Sequence, residues 1–336
     1  MNPAERVRLG RTGLRVTRIG LGTAALGGLY AAVDEKQAVA TLRRAYNAGI
    51  RFFDTAPLYG HGLAERRVGL ALGEVVRDIV LATKVGRLLR TGAPPEPSQL
   101  SGGFDRWPAA PAVNPVFDFS YDGVLRSVEE SLERLGLDRV DVLHIHDPDE
   151  HADDALDGAY RALDRLRSDG TVSAIGAGMN QVEMLVRFAR AVEFDCFLLA
   201  GRYTLLDQTA LRELLPLCGE HGIAVILGGV YNSGILAGPG RGATFDYAPA
   251  PAELVQRARR LEALCSRHGA ELKAAALQFP LAHPAVTSLL VGARSPEELD
   301  EDLALLRTPL PPELWDDLRR ERLLPEDAPT PSTGTQ

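Results

Sequence analysis

Eight short apolar stretches, each followed by a segment of helical periodicity, constrain this chain more than any other feature. In order, "RIGLG" precedes a helix predicted over 34–47, "RFFD" one over 64–73, and "DIVLATK" a long irregular stretch and then a helix over 121–135. "VDVLHIHD" precedes 153–167, "VSAIGAG" 181–191, "DCFLLAG" 209–220, "IAVILGG" 253–267 and "VTSLLVGA" 296–306. Strands that are apolar throughout, rather than alternating, belong to sheets covered on both faces. Eight such units in 336 residues predict an α/β chain folded as a (β/α)8 TIM barrel. A doubly wound sheet is the competitor, but it rarely uses eight uniform units.

Local signals set the helix ends. Asp34 is placed to cap the first helix, Ser295 precedes Pro296 at the start of the last barrel helix, and Gly136 stands where a helix stop belongs. "VRLGRTGLRVTRIG" has the look of a β-hairpin ahead of the barrel, and Pro311 to Arg320 that of an extra C-terminal helix. Residues 1–321 are expected to form one barrel domain. The polar, Pro-rich end, 322–336, is expected to be a disordered tail.

Composition excludes several classes. A net charge of −8 without a basic stripe speaks against a nucleic-acid partner. No run is long and apolar enough to span a membrane. The opening "MNPAERVRLG" lacks the apolar core of a signal peptide. Three cysteines without a CxxC pair read as reduced thiols. The expectation is a cytoplasmic protein acting on a small molecule.

One long irregular segment, between Lys84 and Ser120, leaves from the end of the third strand, the active face of such barrels. It offers Phe104, Trp107 and Phe117 as pocket walls or as anchors onto the barrel, and the two roles are compatible.

Catalytic groups in a barrel come from several strand ends. Here the second strand ends at Asp54 with Tyr59 on the following loop, the third at Lys84 and the fourth at His146. Singly, Asp54 could cap a turn, Tyr59 pack a helix, Lys84 end a strand in solvent and His146 sit satisfied in the core. Together at one rim they form a proton-transfer device. A phenol with a pKa of about 10 is too weak an acid alone. A lysine cation about 4 Å away, at an effective dielectric near 20, favours phenolate by roughly 4 kcal/mol, or ~3 pKa units. Asp54 would hold the lysine, and His146 would orient the substrate oxygen.

With "GLGT" on the first strand, "FFDTAPLYG", "LATK" and "DVLHIHD", the chain resembles the aldo-keto reductases from about Val7 to Leu306. That resemblance implies a (β/α)8 barrel and hydride transfer with a nicotinamide cofactor. It implies that Tyr59 gives or takes the proton, that Lys84 and Asp54 tune it, and that His146 guides the carbonyl or alcohol oxygen. Gly22 and Thr23 match positions beside the nicotinamide. "VYNSGIL" matches the loop that cradles the pyrophosphate, with Asn232, Ser233, Gly234 and Leu236. "GARSPEELDED" matches the segment holding the adenosine end, with Gly292, Arg294, Glu298 and Asp302. Two departures stand out. Asn180 alone remains of the residues that usually hold the carboxamide, and Gly228-Gly229 replaces the aromatic ring usually stacked on the nicotinamide.

"IGAGMNQ", "LLAGRYTLLD", "GGVYNSGILA" and "ALQFPLAHPAV" are most similar to the D-threo-aldose 1-dehydrogenase and L-fucose dehydrogenase group, which also contains pyridoxal dehydrogenases. The resemblance thus implies oxidation of an aldose at C1 to a lactone, with an aldehyde or ketone reductase or a pyridoxal-type dehydrogenase as alternatives. NAD is expected over NADP, because Glu298 and Asp302 would repel a 2′-phosphate and only Arg294 would attract it. Two other classes compete. His144 and His146 could hold a metal in a barrel hydrolase, but such a site needs further ligands, and strands five to seven end in "GAG", "LAG" and "LGG". No metal is expected. A non-catalytic binding subunit on the same scaffold is the other, and the intact set of four argues against it.

Overall fold

Strands and helices alternate, and the strands close on themselves. The computed structural model describes residues 2–95, 106–240 and 242–331. The barrel strands are β1 (Ile19–Gly22), β2 (Phe52–Asp54), β3 (Val80–Val85), β4 (Val142–His146), β5 (Ala174–Met179), β6 (Cys196–Ala200), β7 (Ala224–Gly228) and β8 (Val286–Gly292). All neighbours are parallel, and β8 pairs with β1 to shut the ring. The helices between them are α1 (Glu35–Asn47), α2 (Leu63–Leu72), α3 (Tyr121–Leu135), α4 (Arg161–Ser168), α5 (Val182–Ala191), α6 (Leu214–His221), α7 (Ala252–Arg267), α8 (Leu272–Gln278) and α9 (Pro296–Leu305), and α10 (Pro312–Arg320) follows.

Side-chain parity splits the core into two layers. Phe52, Val80, Ala82, Val142, Ala174, Cys196, Leu198, Ala224, Ile226 and Leu290 fill the barrel. Their sequence neighbours Phe53, Leu81, Leu143, Ile175, Phe197, Val225 and Leu289 face the helices. Each large apolar side chain so buried contributes roughly 1.5–3 kcal/mol, and both parities being apolar is what made the strands legible. The N-terminal hairpin, Arg6–Arg8 against Arg15–Thr17, sends Leu9 and Val16 into the inner layer and plugs one mouth. Asp34, Ser120 and Ser295 cap their helices by accepting from Gln37, Gly123 and Glu298 backbone N–H groups.

Four expectations need correction. The segment after β3 is not irregular throughout, since Arg87–Arg90 pairs antiparallel with Asn114–Phe117. The helix expected from 209 starts only at Leu214. A proline at 216 would clash with the carbonyl of residue 212 in a longer helix, so the helix begins where Pro216 falls in its first turn. Helix α8 lies between α7 and β8 and was not foreseen. Finally, the chain beyond 321 is not disordered up to residue 331. Leu323, Leu324 and Ala328 are buried, and Arg257 and Arg319 donate to the Leu323 and Ala328 carbonyls at 2.7 and 2.9 Å. Three apolar residues hidden in a polar run were enough to anchor it. Residues 332–336 lie outside the described residues. No helix among the described residues is long and apolar enough to cross a membrane.

Candidate active site

The same parity that fills the barrel raises three polar groups at one rim. Asp54 continues the inward column of Phe52, Lys84 that of Val80 and Ala82, and His146 that of Val142 and His144. The Lys84 ammonium donates to Asp54 Oδ1 at 2.5 Å and to the Thr55 carbonyl at 2.9 Å. Both partners are 1 % exposed. Tyr59 arrives on the loop after β2, which is held against the loop after β1 by two glycines. A Cβ on Gly60, which has φ +61°, would lie 2.2 Å from the Gly27 carbonyl oxygen. Only bare backbone allows this approach. The Tyr59 ring then lies with Lys84 Nζ 4.5 Å from its centre. The His146 ring meets it edge-on at 5.8 Å, and Trp107 stands 6.0 Å away.

The electrostatics differ from the sequence expectation. Lys84 does not pull the phenol down. Burial first, and then the Asp54 and Asp147 carboxylates, push the Tyr59 phenol well above its ordinary range, against a smaller opposing pull from Arg87. Asp54 at 2.5 Å cancels most of the lysine's charge, a partner the two-body argument left out. Asp54 itself is raised by burial despite Lys84. His146 is held well below the usual histidine range by burial and by the Arg87 and Lys84 cations, so it is a neutral imidazole near pH 7. His144 is lowered to about 3 and lies fully buried in the barrel. Gly176 leaves it room, since a Cβ there would lie 2.7 Å from its Nδ1. Among the described residues no group of three or more His, Cys, Asp or Glu side chains gathers to hold a metal.

Two cavities meet at this cluster. One, of about 550 Å³, is lined by Tyr59, Lys84, Trp107, Phe117, His146 and Asn180, among others. The other, of about 540 Å³, runs from Gly22, Asp54 and Gly229 past Ser233 and Gly234 to Gly292, Arg294, Glu298 and Asp302. Ala24, Leu29, Tyr59, Leu198, Ala200 and Tyr247 line both. The second cavity fits a dinucleotide. A Cβ on Gly234 or Gly292 would meet nothing within 4 Å, so backbone is bared to an occupant. The buried Thr23 hydroxyl and Asp54 Oδ2 beside its inner end have no hydrogen-bond partner among the described residues.

Not every residue expected near the cofactor faces it. Leu236 is fully buried in the core. The Asn232 side chain is spent inside the fold, donating to the Gly201 carbonyl at 2.9 Å and accepting from the Thr204 hydroxyl at 2.6 Å. Asn180 lines the first cavity and not the second, and donates to the Ala200 carbonyl. Arg294 is engaged by Glu298 through both Nε and Nη2, at 3.1 and 2.8 Å. Asp302 accepts from the Tyr231 hydroxyl at 2.7 Å. Phe104 lies outside the described residues.

Sequence reasoning missed Lys273, Glu301, Tyr247, Arg87 and Asp147. Lys273 and Glu301 pair at 2.5 Å on the wall of the second cavity. Tyr247 sits at the tip of a hairpin, Thr244–Phe245 against Ala248–Pro249. Asp246 and Tyr247 both have positive φ there, as a two-residue hairpin turn requires. Arg202 grips Asp246 at 2.9 and 2.6 Å. The Tyr247 N–H donates to Ser233 Oγ, so the tip bridges the two cavities. Nothing in "TFDYAP" signals that placement. Asp147, by contrast, ends the "DVLHIHD" motif, and Arg87 stands three residues after Lys84.

A model of the aldo/keto reductase family matches residues 18–321. The chain is 44 % identical to pyridoxal 4-dehydrogenase of Microbacterium luteolum, over 96 % of this chain and 99 % of that one. It is 41 % identical to D-threo-aldose 1-dehydrogenase of a Pseudomonas species, over 93 % and 96 %. Among solved structures it is similar to an aldo-keto reductase of Bacillus halodurans in its holo form, with a TM-score of 0.76, 24 % identity and 99 % of each chain covered. That likeness is one of fold.

Proposed function

The chain belongs to the aldo/keto reductase family, and on that premise we propose that it oxidises a cyclic hemiacetal, first of all an aldose at C1, to the lactone. The observation that carries this reading is the meeting of two cavities at Tyr59, with the Asp54–Lys84 pair beneath it and His146 beside it. A bound nicotinamide supplies the acceptor for hydride leaving the substrate carbon. His146, neutral, holds the substrate oxygen. Tyr59 takes the hydroxyl proton as the C–H bond breaks and the C=O bond forms. With its pKa raised, Tyr59 rests as a phenol, ready to donate in the reverse reduction. Oxidation draws on the phenolate fraction, which grows with pH. Gly22, Thr23, Gly229, Ser233, Gly234 and Gly292 are the candidates to hold the cofactor.

Aldoses and pyridoxal share one group, an aldehyde masked as a ring hemiacetal, so the two named relatives point to one chemistry. The pyridoxal reading is favoured by the Trp107 face, 31° from the Tyr59 plane, against which a flat ring can stack. The wall of the adenosine end carries Lys273 and Arg294 against Glu298, Glu301 and Asp302. Both cations are paired with acids, which supports NAD over NADP. The three cysteines are buried and free, in keeping with a reducing cytoplasm. The test is a screen of aldoses, pyridoxal and simple alcohols with each cofactor, with the product identified by mass. Lactone formation from an aldose, with the higher kcat/KM on NAD, is expected. Turnover of simple alcohols or aldehydes alone would contradict the reading.

A further inference from the structure

Asp147, the last residue of "HIHD", has a φ of +40°. Left-handed backbone is uncommon outside glycine, and Asp tolerates it better than most. Such outliers collect at functional sites, and the inference runs from outlier to role. Here the conformation turns the chain as β4 ends. The Asp147 N–H still donates to the Gly178 carbonyl at 3.0 Å, while its side chain lines the cavity that holds Tyr59 and His146. Asp147 Oδ2 lies 3.5 Å from His146 Nε2. Arg87, buried and lying over the Phe117 ring, fixes both neighbours. It donates to the His146 carbonyl at 2.9 Å and lies 3.7 Å from Asp147 Oδ2. A neutral imidazole and the Asp147 carboxyl thus stand side by side on the wall of one cavity.

We propose that Asp147 is a specificity-determining residue, whose carboxylate accepts a hydrogen bond from a hydroxyl on the carbon next to the reacting one. The enzyme would thereby select O–C–C–O substrates. An aldose has such a hydroxyl at C2, and pyridoxal has none on the carbon adjacent to its aldehyde. The proposal deepens the lactone reading and rests on it for the choice between the two. A hydrogen bond to a charged group is worth about 10- to 100-fold in selection.

The test is the ratio of kcat/KM for reduction of 2-hydroxypropanal to that of propanal, which differ only in the neighbouring hydroxyl, in the wild type and in Asp147→Asn. A wild-type ratio well above one that falls at least fivefold in the variant is expected. A residue that only props up His146 would slow both substrates and leave the ratio in place. A ratio that falls less than fivefold, or a wild-type ratio near one, overturns the assignment. Should Asp147→Asn fail to fold, Asp147→Gly, which adopts φ +40° without strain, is read the same way. If the ratio collapses while no aldose gives a lactone, the assignment stands and the lactone reading falls. If lactone forms and the ratio persists, the reverse holds.

Discussion

Asp302 shows what a single charge costs here. Burial lifts its carboxyl from 3.8 to about 6, although the Tyr231 hydroxyl bond and Lys273 favour the anion. A raised carboxyl binds its proton more tightly folded than unfolded. Its stabilising contribution is therefore full below about pH 3.8 and is lost as pH rises through 6. Near neutral pH the charge costs about 2–3 kcal/mol. Asp302→Asn keeps an acceptor for Tyr231 and removes the charge. It should melt above the wild type at pH 8, by a margin that shrinks toward pH 5. Thermal melts at the two pH values check this, and an equal or negative margin at pH 8 would contradict it. A buried acid on the wall of the second cavity is in line with the proposed preference for NAD over NADP.

At the scale of elements, the segment after β3 separates what the sequence told from what it hid. Its start and its three aromatics were readable, because a strand end and a run of Gly and Pro mark a loop. Its hairpin was not, because "RLLR" and "NPVF" are short and their pairing spans over twenty residues. Trp107 is 6 % exposed and stands against Tyr59, so both packing and substrate contact are open to it. Trp107→Ala should raise KM, or reorder substrates, more than it lowers Tm. A lower Tm with every substrate's kinetics unchanged would make it an anchor only. The site followed the same division. Asp54, Lys84 and His146 were legible because strand parity carries them to one rim. The sign of the Tyr59 shift was not, because it depends on the partner of the lysine and on burial, and neither is written in the spacing.

For the whole molecule, the barrel works as a collar, its interior largely apolar and plugged below by Leu9 and Val16, with His144 buried within it and Asp54, Lys84 and His146 raised at the open rim. Two cavities of similar size meet there, and Tyr59 stands on the wall between them. The eight-unit pattern was enough to foresee that collar. The bridging Tyr247 hairpin and the buried end of the chain were not foreseeable, because both are fixed by contacts distant in sequence. In the proposed mechanism Tyr59 moves the proton to and from the substrate oxygen, while most of the residues that would hold the cofactor lie further along the second cavity. The most direct test is Tyr59→Phe, measured for turnover and, separately, for cofactor binding by fluorescence titration. Loss of a general acid–base should lower kcat by at least about 100-fold with the cofactor Kd within a few-fold of wild type. Near-normal turnover in that variant would contradict the account.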